Sequence, residues 1–262
     1  MNDTTIAVIG GKEMDKYFFE SSLETPITAS YRSHSKQVNK IFYGKEIGVN
    51  GSRFIFVNRY MVGLSEGKMV FKPNEIDYKT IMVGLLQSGI KNVISISKCG
   101  SLQKEWPIGS LVLPKDCADM VNRDIMLDDI GADVADMSKP FDCSLCDIIK
   151  GAAKEEKIKL FTDAIYVLSV DGTRLETLPE IQLIRKMFSG NLVLGMTAST
   201  EAHLAKLLGL KFAALSVVTN YAAGMRGEIT ESTMGGIFEK SLPIVTKLLF
   251  RAITLLSSKN KK

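Results

Sequence analysis

Histidine is scarce in this 262-residue chain: His34 and His203 are the only two. His203 falls in a helical stretch and reads as a packing residue. Cysteine is equally sparse, at four. Cys143 and Cys146 form one C-x-x-C, but no second pair lies at zinc-site spacing. No metal is expected, and the pair reads as two small residues at the start of an apolar helix (145–155). No apolar run approaches the roughly 20 residues needed to span a bilayer, so no membrane association is expected. The first residues lack a basic segment followed by a cleavable apolar core, so a cytoplasmic location is the expectation. Charge of one sign is also missing: 33 Lys and Arg face 29 Asp and Glu, for a net +4. No stripe of Lys/Arg with interleaved aromatics appears, which argues against a nucleic-acid partner. Neither a Pro/Ser-rich linker nor an internal repeat divides the chain. A single domain is expected over 1–257, followed by a basic, frayed tail at 258–262.

What is present is a globular composition, 45% hydrophobic and 24% charged, long enough to bury a core without disulfide staples. Short β-branched runs alternate with amphipathic segments, the signature of an α/β fold. Ile6–Ile9 reads as a strand closed by Gly10-Gly11, and the chain beyond shows no clear helix. Segments 40–49 and 52–61 flank Asn50-Gly51, a strong hairpin signal. A helix is expected over 74–89 with Asn74 as its cap, then strands at 92–97 and 109–116. Residues 117–142 are acidic and irregular and read as a long loop. Helices follow at 144–156, 175–188, 199–209 and 234–257, with strands at 164–170, 192–196 and 212–222.

Ligands of open α/β sheets collect at the carboxyl ends of strands. The residues there are small, polar and glycine-rich: Gly10, Gly11 and Lys12; Arg59 and Tyr60; Lys98 to Ser101; Asp171 to Glu176; Met196 and Thr197; Asn220. Gly10-Gly11 lacks the third glycine of a dinucleotide fingerprint, and no turn has Walker spacing. On its own, Glu176 would read as a residue of a first helical turn, Asn220 as a turn former, Met196 as core filler and Arg59 as a surface ion pair.

Taken together, the motifs resemble the purine nucleoside phosphorylase and methylthioadenosine phosphorylase family over nearly the whole chain. They are VIGG at 8–11, Arg59 after an apolar strand, KPNEIDYKTIMVGLLQSGIKNVIS at 72–95, KCGSL at 98–102 and GSLVLPKD at 109–116. GTRLET at 172–177, GMTASTEAHLAKLLGL at 195–210 and TNYAAG at 219–224 complete the series. The closest look is to members acting on 6-oxopurines, including 5′-methylthioinosine. The resemblance implies a single-domain α/β fold with a twisted, mixed central sheet flanked by helices. It implies displacement of a purine from C1′ of a nucleoside by phosphate, and no cofactor, with phosphate as co-substrate. It also implies a homotrimer or hexamer.

By the same resemblance Glu176 and Asn220 hold the base. An ionised carboxylate only accepts hydrogen bonds, and N1–H of a 6-oxopurine only donates. Asn220 can donate to N7 or O6 as charge builds on the leaving ring. Met196, Leu175, Thr177 and Ile237 fall at nucleoside-binding positions. Gly11, Lys12, Arg59, Ser97, Lys98 and Thr197 fall at phosphate-binding positions. The phosphate set departs from the family pattern. Lys12 stands where Thr or Ser is usual, Tyr60 where a histidine follows the arginine, and Lys98 where a small residue is usual. Either Lys12, Lys98 and Lys68 replace the lost donors as point charges, or Lys98 fills the pocket or pairs with an acid and phosphate binds poorly. The second case gives a weak phosphorylase, a hydrolytic nucleosidase or a purine-nucleoside binder without turnover. Past Asn220 no histidine awaits a 5′-hydroxyl. Ile229, Met234 and Ile237 could line an apolar 5′ pocket, or Ser232 or Thr233 could bond a hydroxyl.

Overall fold

The computed structural model describes residues 5–18, 23–63, 70, 72–225 and 229–260. Lys68, the tail lysines 261–262 and residues 226–228 lie outside them. Eleven strands form one mixed sheet. Strand β1 (Ile6–Gly10) is buried at all five positions, as its unbroken apolar run demands. The Asn50-Gly51 turn joins β3 (Lys36–Val49) to β4 (Ser52–Asn58), with φ of 48° and 74° at its two residues. These positive values suit the primed hairpin turn that Asn-Gly favours.

Several expectations are corrected. Residues after Gly11 do form a helix, the short α1 (Lys12–Tyr17), whose Met14 is buried. Strand β2 (Leu23–Ser33), paired along its length with β3, was not anticipated. Buried Ile27, Ala29 and Tyr31 alternate with exposed Thr28, Ser30 and Arg32, the period of a half-buried strand, while its first four residues show no alternation. Helix α2 (Tyr78–Gln87) starts later than expected. Its cap is Asp77, whose carboxylate accepts from the Thr80 amide at 3.0 Å, while Asn74 sits in a single tight turn. Strand β5 (Asn92–Ser101) runs four residues longer, through Lys98 to Ser101. Around Pro114 the expected strand at 109–116 divides into β6 (Leu111–Val112) and β7 (Asp116–Asp119), so the stretch taken as loop begins with a strand.

Helix α3 (Cys143–Glu155) buries Cys146 and leaves Cys143 exposed. Two-residue β8 (Leu160–Phe161) and β9 (Ala164–Leu168) lead to α4 (Leu178–Met187). Then come β10 (Asn191–Leu194), α5 (Ala198–Leu207), β11 (Lys211–Tyr221) and α6 (Glu231–Asn260). Helix α6 continues through 258–260, where a frayed tail was expected. It is long and apolar enough to cross a membrane by length and composition, with half of its apolar window buried in the fold. Its contacts with α1, α3, β4 and β11 make it a core helix, and Phe250 packs on Phe18 and Phe54. Helices α2 and α5 form the other packed group.

One feature of strand pairing opens the site. On one edge of β5, β1 pairs with Asn92–Ser95 in parallel and β10 pairs with Gly100–Ser101 antiparallel. The carboxyl ends of β1 and β10 therefore point at each other across Ile96–Cys99. On its other edge β5 is covered along its length by β11.

Candidate active site

The gap over Ile96–Cys99 opens into a cavity with about 860 Å³ of empty space, open solvent at its mouth included. Gly11 comes to its wall from the end of β1, Arg59 and Tyr60 from β4, and Ser97 to Gly100 from β5. Leu175 and Glu176 come from the β9–α4 loop, Gly195 to Thr197 from β10, and Thr219 and Asn220 from β11. Of the expected residues, Glu176, Asn220, Met196, Leu175, Gly11, Arg59, Ser97, Lys98 and Thr197 thus line one cavity.

Three do not reach it. Lys12 is turned outward and binds Glu231 at 2.7 Å, with both side chains largely exposed. Glu231 raises the Lys12 pKa through that hydrogen bond, and Lys12 lowers that of Glu231. Thr177 is the exposed N-cap of α4, bonded through its amide and hydroxyl to Glu180 in a capping box. Ile237 is not a wall residue either; Ile229, Met234 and Phe238 supply the apolar side. Phe238 escaped the sequence reading, although it lies one helical turn beyond Met234. Thr233 is engaged with Thr230, its hydroxyl donating to the Thr230 carbonyl at 2.9 Å.

Glu176 and Asn220 are oriented by their neighbours. The Ser169 hydroxyl donates to Glu176 Oε1 at 2.6 Å, while Glu176 is 7% exposed. The Thr219 hydroxyl donates to Asn220 Oδ1 at 3.0 Å, and Asn220 Nδ2 donates to the Tyr221 carbonyl at 3.0 Å. One Nδ2 hydrogen remains to be given to a ligand. Two glycines make these positions possible. A Cβ on Gly100 would lie 2.9 Å from Asn220 Nδ2, and one on Gly195 would lie 2.0 Å from the Tyr166 hydroxyl. That hydroxyl accepts from the amides of Thr197 and Ala198, so it fixes the turn carrying Met196. Burial pushes the Tyr166 pKa up, keeping it neutral. Arg123 braces the same turn from behind, donating to the Met196 carbonyl at 2.6 Å and the Asp171 carbonyl at 2.7 Å. Nothing in the sequence distinguished Arg123 from other loop residues.

At the opposite end the cations are already committed. Arg59 is 2% exposed. Its Nε donates to Glu201 at 2.9 Å, Nη1 to the Ile96 carbonyl, and Nη2 to the Ile9 carbonyl and Ser95 hydroxyl. Burial is the largest single influence and works against its charge, but Glu201 together with Tyr60, Tyr78 and Tyr166 outweighs it and the pKa is raised. Lys98 donates to Glu13 at 2.9 Å. The Ser97 hydroxyl bonds that of Ser216 at 3.0 Å. Thr197 Oγ1 is buried with no partner at hydrogen-bond geometry. Tyr60 occupies the neighbouring wall, its pKa raised chiefly by burial. Cys99 is buried, and burial drives its thiol pKa up, so it is no thiolate nucleophile. Glu13 and Glu201 were not singled out from the sequence; the only signals were a carboxylate next to Lys12 and one inside the STEAH segment.

No group of three His, Cys, Asp or Glu residues is arranged to hold a metal among the described residues. Residues 52–254 match the family model described as the phosphorylase superfamily. The chain is 31% identical over 254 residues to a probable 6-oxopurine nucleoside phosphorylase of Dictyoglomus turgidum, covering 95% of this chain and 90% of that protein. It is 28% identical over 260 residues to the S-methyl-5′-thioadenosine phosphorylase of Saccharolobus solfataricus, covering 97% and 91%. A crystal structure of a methylthioadenosine phosphorylase from an antarctic soil metagenomic library matches the fold with a TM-score of 0.79. There the identity is 23%, with 100% of this chain and 89% of that one covered.

Proposed function

Since this chain belongs to the phosphorylase superfamily, we propose that it cleaves the N-glycosidic bond of 6-oxopurine nucleosides with phosphate. The products are the free base and ribose 1-phosphate, or the methylthioribose form from 5′-methylthioinosine. The observation that carries this reading is that Glu176 and Asn220 line one cavity, each held by a neighbouring hydroxyl. Glu176 Oε1 is tethered, so the carboxylate presents a fixed acceptor to N1–H. Adenine carries an acceptor at N1 and would leave the carboxylate facing a lone pair, a mismatch that strongly disfavours binding.

In the proposed reaction the C1′–N9 bond breaks, its electron pair leaves with the purine, and a phosphate oxygen bonds to C1′. Asn220 donates to the purine as that charge develops, and Glu176 anchors the other edge of the ring. Met196, fixed by Tyr166 and Arg123, supports the ribose. The apolar wall of Ile229, Met234 and Phe238 favours a methylthio group over a hydroxyl at the 5′ position. A trimer or hexamer with a neighbouring subunit helping to close the site belongs to the same proposal; sedimentation showing a monomer would remove it.

A second reading draws on the phosphate end. Lys12, Lys98 and Arg59 each bind a carboxylate of the chain itself, which suits a hydrolytic nucleosidase or a binder without turnover. Base release decides between them. It is to be measured from inosine, guanosine, adenosine, methylthioinosine and methylthioadenosine, each with and without phosphate. Phosphate-dependent release confined to 6-oxopurines is expected. Release independent of phosphate would make the protein a hydrolase, and binding without release would make it a non-catalytic member.

A further inference from the structure

Three cations lie at or near the phosphate end, and their carboxylate partners differ in kind. The Lys12–Glu231 pair is exposed and outside the cavity wall. Such a pair contributes little and is screened by salt. The Arg59–Glu201 pair is fully buried, and the arginine spends its remaining donors on backbone and Ser95. Only in the pair of Lys98 and Glu13 do both residues form the cavity wall. Glu13 is 5% exposed, whereas the Lys98 side chain is 26% exposed.

The carboxylate is accommodated from two directions. Glu13 Oε2 lies 3.2 Å from where a Cβ on Gly11 would stand, and Oε1 lies 3.6 Å from one on Gly235. The buried Thr197 hydroxyl lines the same cavity, beside the Tyr166 hydroxyl. An oxyanion entering here therefore meets an ammonium and a carboxylate already bound to that ammonium. Two anions near one cation repel, and the ammonium cannot serve both fully. An entering oxyanion can take a remaining Lys98 N–H but must share the ammonium's charge with Glu13, whose repulsion it meets in full.

We propose that Glu13 is an internal anion that competes with the oxyanion co-substrate for Lys98 and so sets the affinity of the site for it. The proposal rests on the phosphorolytic reading only for the identity of that oxyanion as phosphate. It makes Glu13 a specificity-determining residue. Neutralising it frees Lys98 and removes the repulsion together, while the base end keeps its own contacts.

The test is a calorimetric titration of inorganic phosphate into the full chain, into Glu13→Gln and into Lys98→Met. Glu13→Gln keeps the side chain's shape and is expected to bind phosphate roughly ten-fold or more tightly than the parent, the scale of one charge-assisted hydrogen bond. Lys98→Met should bind it no more tightly than the parent. Equal or weaker binding by Glu13→Gln overturns the proposal. If that variant does not fold, Glu13→Ala is read by the same criterion. Base release from inosine is followed in the same samples. Tighter phosphate binding with no release by any variant would leave the competition standing and remove the phosphorolytic reading. Phosphate-dependent release with unchanged phosphate affinity in Glu13→Gln would do the reverse.

Discussion

Asn220 and Glu176 illustrate how a side chain becomes a tool when its neighbours use up part of its hydrogen-bonding capacity. Thr219 orients the Asn220 amide and Ser169 tethers Glu176. Asn220→Ala is expected to lower turnover by about 100-fold or more, the scale for losing a donor aimed at developing charge. The melting temperature should change far less, because Asn220 is only partly buried. Glu176→Ala should narrow the preference for hypoxanthine over adenine, read as a ratio of kcat/KM values. If neither substitution touches turnover, the assigned base end is wrong. Gly195 supplies a different kind of residue-scale argument. A methyl group there would meet the Tyr166 hydroxyl and ring at 2.0 and 2.3 Å. Gly195→Ala should therefore cost about 3 kcal/mol, the upper range of overpacking, in chemical denaturation.

Among the elements, helix ends show how local chemistry sets boundaries. Asp142 caps α3, its carboxylate accepting from the Leu145 amide at 2.8 Å. Asp142→Ala should lower stability by about 1 kcal/mol, the usual loss for an N-cap. At α4 the Glu180 carboxyl is held down to about 2, first by the Arg174 guanidinium and then by the Thr177 amide. Its folded pKa lies below the value in the unfolded chain, so the ionised form favours the folded state. That contribution is complete above the ordinary carboxylate range near 4.5 and is lost as pH falls toward 2. The stability gap between the parent and Glu180→Gln should close over that interval, and it should be smaller in high salt because the pair is exposed. The same caps explain why α2 and α4 begin later than their apolar periodicity suggests. Asp77 and Thr177 offer side chains that satisfy first-turn amides, and such a residue stops the helix from extending backward.

Across the whole molecule, Arg59 ties together elements far apart in the chain. It joins β1 through Ile9, β5 through Ser95 and Ile96, and α5 through Glu201. Glu201→Gln leaves a buried guanidinium without its counter-charge and should cost about 3–5 kcal/mol. Replacing both Arg59 and Glu201 by apolar residues of similar volume should cost less than the two single losses added together. A double-mutant cycle in denaturant measures the difference.

Apolar periodicity and glycine-closed strands carried the α/β class and most helices, local patterns readable because a helix or strand repeats every few residues. Glu176 and Asn220 were singled out through the family resemblance, and the structure brings both to one cavity. Strand β2 carries a periodic signal only over 27–32, where apolar and polar residues alternate, and its polar, Pro-containing start obscures it. That Lys98 could pair with an acid was one of the alternatives the sequence left open, but which carboxylate each cation takes was beyond reach for another reason. Lys98 and Glu13 are 85 residues apart, and Arg59 and Glu201 are 142 apart. A sequence states that a lysine and a glutamate are present, and their charges act over only about a Debye length, some 8–10 Å in ordinary buffers. Which of them meet is settled when β1 and β10 end face to face over β5 and carry their flanking residues into one buried corner. There, low access to water forces each cation to take a carboxylate.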